Sequence, residues 1–281
     1  MLVDAHHHIW DPRARRQAWL DQQPQLNRRF DLDDYRLACV GQDVTASVLV
    51  QVLASTAETE EFLLAAAQDG IVAGVIGWAD LTSPRISEEL ARLRELPGGA
   101  RLVGIRHLVQ DEPGGWLARP EVRRGIRAVG AAGLCYDLLV RPWQLADALA
   151  LTAELDDVPF VLDHAAKPDI EHGRLEPWSA LIAELARRPR LTCKVSGLVT
   201  EAGPEWTTGE LAPYVAHLIG CFTPERLMFG SDWPVSTAVA SYDEVVGAVR
   251  TLTAGLSPAE QRAVLHDTAV STYRLPARSQ D

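Results

Sequence analysis

Short apolar, β-branched runs alternate with longer amphipathic segments along the whole chain. The runs are LVDAHHHI (2–9), ASVLVQV (46–52), VAGVIGW (72–78), RLVGIRH (101–107), GLCYDLLV (133–140), PFVLDHA (159–165), RLTCKVSG (190–197) and RLMFGSD (226–232). Their length and composition predict strands. Between them lie 56–70, 83–96, 119–133, 141–155, 176–188 and 208–222, each with apolar residues three and four positions apart, which predicts helices. Gly70 reads as a stop, and Ser83–Pro84 as an N-cap followed by a first helical residue. Eight strands alternating with helices predict a parallel sheet, and eight such units closing on themselves predict a (β/α)8 TIM barrel over residues 1–275. The competitor, an open doubly wound sheet, usually carries a Gly-rich phosphate loop after its first strand, and neither G-x-G-x-x-G nor G-x-x-x-x-G-K-[ST] occurs. Residues 11–44, rich in Arg, Gln, Asp and Pro, form a long first βα loop expected over the barrel mouth. PARSQD (276–281) is expected to be a frayed tail.

Strand alternation then sorts side chains into outward and inward faces. With the apolar members placed outward, Val3, Ala5 and His7 face the helices, and Asp4, His6 and His8 face in. By the same rule Val48, Val50 and Val52 face out and Gln51 in; Val103 and Ile105 out and Arg106 in. Val161 faces out and His164 in. Leu191, Cys193 and Val195 face out, leaving Lys194 and Ser196 inside. Leu227 and Phe229 face out and Asp232 in. The third and fifth strands have no firm phase, so Trp78, Tyr136 and Asp137 stay unassigned. His6, His8, His164, Asp232, Arg106 and Lys194 are thus expected at the C-terminal ends of the strands, the catalytic face of this fold. Burying so many polar groups without purpose would cost several kcal/mol in desolvation, about 3–5 for each broken ion pair.

Composition narrows the partners. The chain has 281 residues and a formal net charge of -11, which argues against nucleic acid or anionic membrane as a main partner and does not identify a substrate. A homo-oligomer is left open. The four cysteines, at 39, 135, 193 and 221, form no C-x-x-C pair and read as free thiols, which suits a cytoplasmic location. No basic-then-apolar leader and no apolar stretch of membrane-spanning length is seen. The three consecutive histidines continue a strand pattern and lack the Gly/Ser flanks of a purification tag.

The D-x-H-x-H first strand, DHAAKP (163–168) and GSDWPV (230–235) resemble the amidohydrolase superfamily. GIRHLVQDEP (104–113) and CKVSGL (193–198) resemble its amidohydrolase-related branch, which includes sugar, muconolactone and pyrone lactonases. The resemblance implies a distorted (β/α)8 barrel that hydrolyses a lactone, a sugar-acid lactone first. It implies catalytic roles for Asp232, His6, His8 and His164. Asp232 would deprotonate water and then protonate the leaving ring oxygen. The imidazoles would polarise the carbonyl directly, or hold one zinc or manganese ion with Asp232. Strand four offers Arg106 and His107 in place of a ligating carboxylate, and strand five lacks histidine, so two metals are not expected. Arg106, Lys194, Gln51, Trp78 and Trp233 are expected to contact substrate. The rival chemistries are a metal-dependent decarboxylase of an aromatic or unsaturated acid and a muconolactone or pyrone lactonase. A non-catalytic binding protein on the same barrel is a further rival.

Overall fold

A computed structural model describes residues 1–276. Its strands are β1 (Leu2–His7), β2 (Val44–Val50), β3 (Val72–Gly77), β4 (Leu102–His107), β5 (Cys135–Leu138), β6 (Phe160–Leu162), β7 (Leu191–Val195) and β8 (Leu227–Phe229). All pair in parallel in the order β1 to β8. Past the end of β8, Asp232 N–H donates to His6 O (2.8 Å) and His8 N–H to Trp233 O (2.7 Å). These bonds bring the last strand back to the first, and the barrel is nearly closed.

The helices are α1 (Leu32–Ala38), α2 (Thr56–Gln68), α3 (Ile86–Glu95), α4 (Pro120–Ala131), α5 (Leu145–Glu154), α6 (Trp178–Leu185), α7 (Leu198–Glu201), α8 (Thr208–Phe222), α9 (Tyr242–Leu252), α10 (Pro258–Arg262) and α11 (Thr268–Tyr273). Ser55 caps α2 by accepting from Glu58 N–H. Ser83–Pro84 forms a turn ahead of α3 instead of its first residues, and the helix starts at Ile86. No helix of the described residues is long and apolar enough to cross a membrane. The expected frayed tail lies, from residue 277 on, outside the described residues.

The apolar residues divide into two clusters, and the division corrects the sequence-derived facing. Val3, Ala5, Val48, Val50, Ala73, Ile76, Cys135, Val161 and Met228 pack together, with Val103 against them. They come from strands on opposite sides of the sheet, so they meet only across the lumen. Tyr273 and Leu275 join them, so the end of α11 and the residues after it plug the lower end of the barrel. Val3, Ala5, Val48, Val50, Val103 and Val161 therefore face in, not out. Asp4, expected inside, faces out: its carboxylate accepts from Tyr35 of α1 (2.9 Å), Tyr242 of α9 (3.2 Å) and Ser231 (2.6 Å). Register breaks between Asp4 and His7 in β1, and between Val75 and Ile76 where β3 meets β4, shift the alternation in mid-strand. The outward set of β7 and β8 (Leu191, Cys193, Val195, Leu227 and Phe229) packs on the helices as expected.

The long first loop does two jobs. Two short 3-10 turns, Ala18–Gln22 and Pro24–Leu26, lie at the mouth. The rest forms α1, which a capping box at Asp31 starts and which packs beside β1. His7, facing outward as expected, stacks on Tyr35 of that helix with ring centroids 3.9 Å apart.

Candidate active site

The polar residues lie above the apolar plug in two layers. In the lower layer Lys194, wholly buried, sits between Asp137 (2.6 Å) and Asp163 (2.9 Å). The Tyr273 hydroxyl donates to Asp137 (2.8 Å) and ties this layer to the plug. Asp163 also holds Arg106 (2.9 Å) and lies 3.4 Å from Nδ1 of His6.

The upper layer is the floor of a cavity of about 700 Å³ at the C-terminal mouth. Oδ1 of Asp232 faces Nε2 of His8 (3.4 Å), His6 (3.8 Å) and His164 (3.9 Å). The Nε2 atoms of His6 and His8 are 3.2 Å apart. Each side chain reaches this point by a local device. His6 and His8 follow the register break in β1. β6 ends at Leu162, and His164 turns inward through a left-handed backbone (φ 52°). Asp232 likewise has φ 57°. Such strain in non-glycine residues concentrates at functional sites. Nδ1 of His164 pairs with Ser196 Oγ (2.9 Å), and Nδ1 of His8 donates to Val50 O (2.7 Å).

Gly197 is required by the same geometry. It has φ +65°, and a Cβ there would come 2.7 Å from Nδ1 of His164 and 3.2 Å from Oδ2 of Asp232. Gly197→Ala is expected to cost about 1–2 kcal/mol from backbone strain alone and to push the imidazole of His164 aside. A lower urea midpoint checks the first effect, and an unchanged midpoint would contradict it.

Burial drives His6 well below the ordinary histidine range, with the Lys194 ammonium adding to it, and lowers His164 to about 4. Both rings are neutral at pH 7. Burial alone would raise the Asp232 carboxyl, but the imidazoles, His164 first, outweigh it and hold the group below its ordinary range. The floor therefore presents a carboxylate beside two neutral imidazoles, those of His6 and His164.

This donor set fits a divalent ion. The carbonyl of Val50 only accepts, so Nδ1 of His8 carries a proton, and Nε2 is the ring nitrogen turned to the Asp232 carboxylate. A nitrogen and a carboxylate oxygen turned toward each other suit a proton or a metal ion between them. Spacings of 3.2–3.9 Å suit ligands held at about 2.0–2.1 Å around tetrahedral zinc. His6, His8 and Asp232 form one such set, and His6, Asp163 and His164 a second.

The structure thus brings His6, His8, His164, Asp232 and Arg106 together. The other four residues expected to contact substrate do not line the cavity. Lys194 is one layer too deep. Gln51 falls just past the end of β2, with its amide oxygen accepting from Arg106 (3.2 Å) behind the floor. Trp78 donates to Nδ1 of His107 (3.0 Å), which stacks on Trp116 and pairs with Glu112 (2.9 Å). Trp233 is buried against Phe30 and Tyr35. The walls come instead from Trp19, Gln22, Gln23 and Gln25 of the first loop and from Gln110, Arg141 and Lys167. Asp163 was missed. Its signal was its place two residues after Val161, on the same face, once Val161 is known to point inward.

An amidohydrolase family model matches residues 3–275. The chain belongs to the amidohydrolase family. By family, it is a hydrolase. An L-fucono-1,5-lactonase of Burkholderia multivorans is 38% identical over 98% of this chain and 97% of its own length. A second L-fucono-1,5-lactonase, from Burkholderia ambifaria, is 36% identical over 86% of this chain and 83% of its own. The crystal structure of an amidohydrolase from B. multivorans with bound zinc superposes with a TM-score of 0.93 at 36% identity, covering 98% of this chain and all of that one.

Proposed function

We propose that this amidohydrolase opens a sugar-acid lactone of the L-fucono-1,5-lactone class by hydrolysis. The observation that carries the reading is the Asp232 carboxylate, ringed by His6, His8 and His164 at the cavity floor. Ester hydrolysis needs water deprotonated, the carbonyl polarised and the leaving oxygen protonated. Asp232 performs the two proton transfers. Its Oδ1 is held by the imidazoles, and its Oδ2, toward Gly197, takes a proton from water as the water oxygen bonds to the carbonyl carbon. As the ring C–O bond breaks, the same carboxyl returns that proton to the leaving oxygen, giving a hydroxy acid. Arg106, in the cavity floor, places positive charge beside the developing oxyanion. A divalent ion held by His6, His8 and Asp232 would act as a Lewis acid toward the carbonyl. The amides of Gln22, Gln23, Gln25 and Gln110 suit a substrate rich in hydroxyls, since each both donates and accepts.

The test is acid release from a panel of aldonolactones, with muconolactone and an aromatic acid as comparators, each with and without added zinc. L-Fucono-1,5-lactone or a close stereochemical relative is expected to give a kcat/KM of about 10⁴ M⁻¹ s⁻¹ or more. No release above the buffer rate from any aldonolactone would overturn the reading.

A further inference from the structure

One peptide group beside the cavity floor is held at its two ends by opposite charges. The carbonyl of Gln51 accepts from Arg106 Nη2, and the N–H of Val52, at the other end of the same peptide, donates to Oε2 of Glu58 (2.8 Å). The next N–H, of Leu53, donates to the same oxygen (2.9 Å). Gln51 grips Arg106 with its side chain too: its amide oxygen accepts from Nη2 (3.2 Å), and its amide nitrogen donates to Arg106 O (3.3 Å). Glu58 itself, in the first turn of α2, is only 3% exposed and does not line the active-site cavity. We propose that Glu58 is a positioning residue that acts through the Gln51–Val52 peptide to fix the guanidinium of Arg106 for the developing oxyanion. The oxyanion step rests on the lactonase reading; the link between Glu58 and Arg106 stands without it.

A buried peptide bonded at both ends is polarised, and each bond strengthens the other. A carboxylate on the N–H shifts electron density toward the carbonyl oxygen, which then binds the guanidinium more firmly. Hydrogen bonds to charged partners are about twice as strong as neutral ones, so the charge of Glu58 matters and not only its shape. Arg106 is thereby fixed by both arms: Nη1 directly by the Asp163 carboxylate (2.9 Å), and Nη2 by the Glu58 carboxylate relayed through one peptide. Burial raises the Glu58 carboxyl to about 7, against the pull of the two N–H bonds and of the Arg15 and Arg106 guanidiniums. Glu58 is therefore ionised above neutral pH and loses its charge below it. The charged groups around it are Arg106 from β4, Arg15 from the first loop, which pairs with Glu61, and, across a cavity of about 170 Å³, Asp11, Arg29 and Asp31.

Two measurements on the full chain test this. The first is turnover of L-fucono-1,5-lactone. Glu58→Gln keeps an oxygen for the two N–H groups and removes only the charge. It is expected to lower kcat about tenfold above neutral pH with KM within about twofold, and to abolish the rise of kcat that the native chain shows through about pH 7. Glu61→Gln, one turn further along α2, also takes a partner from Arg15 but does not reach the peptide, and its kcat is expected to stay within about twofold of native. A native kcat in folded Glu58→Gln, or an equal loss in Glu61→Gln, would overturn the proposal. The second measurement needs neither lactone nor variant. In ¹H–¹⁵N spectra of the native chain, the Nη2 signals of Arg106 are expected to move with pH in step with the amides of Val52 and Leu53. Nη2 signals that stay fixed while those amides move would sink the proposal even if Glu58→Gln failed to fold. If they move together while no lactone is turned over, the lactonase reading falls and the link between Glu58 and Arg106 stands.

Discussion

Asp232→Asn is expected to lower kcat for lactone opening by about three orders of magnitude, with KM changed by less than about fivefold. The amide has the shape of the carboxylate, so it keeps a place among the three imidazoles. It can neither take a proton from water nor return one to the ring oxygen. Both transfers belong to the transition state and not to substrate binding, so the loss should fall on kcat. The native carboxylate starts ionised at neutral pH because its carboxyl is held below the ordinary carboxylate range. Steady-state acid release checks the rate, and zinc content measured on the same samples separates lost proton transfer from lost ligation. A variant that retains more than a tenth of the native rate would remove Asp232 from the mechanism.

The second large effect is on stability. Asp163 is wholly buried and neutralises both Arg106 and Lys194. Asp163→Asn would leave the guanidinium without an anionic partner and the ammonium with only Asp137. Breaking a buried pair from one side costs about 3–5 kcal/mol, because the remaining charge has lost both water and partner. For a chain of this size that corresponds to a fall of about 10 °C in Tm. Glu154→Gln provides the contrast. Glu154 pairs with Arg123 and Arg127, but these side chains are partly exposed, so its loss is expected to cost no more than about 1 kcal/mol. Urea unfolding of both variants checks the difference, and equal midpoints would contradict the buried-pair account.

The barrel itself was legible because its signals are local. Each strand is a short β-branched run, each helix an amphipathic repeat, and a strict alternation of the two leaves few topologies. β7 shows the rule working: five residues without a register break placed Lys194 inside and Cys193 and Val195 outside. β1 shows it failing. A register break between Asp4 and His7 lets His6 and His8 point in although Asp4 points out, so the right conclusion about the histidines rested on a wrong phase for the rest of the strand.

The sequence by itself determined the eight-unit order, the family resemblance and the identity of the residues on the cavity floor, because motifs and hydrophobic periods are properties of neighbours in the chain. Tertiary structure alone decided how deep each group sits. It buried Lys194 below the floor, made Asp163 the hub of two cations, turned His164 inward on a left-handed backbone and drew Tyr273 up from the far end of the chain to meet Asp137. The physical reason is that these placements follow from register breaks, positive φ angles and contacts between residues far apart in sequence, and none of the three leaves a periodic mark on the chain.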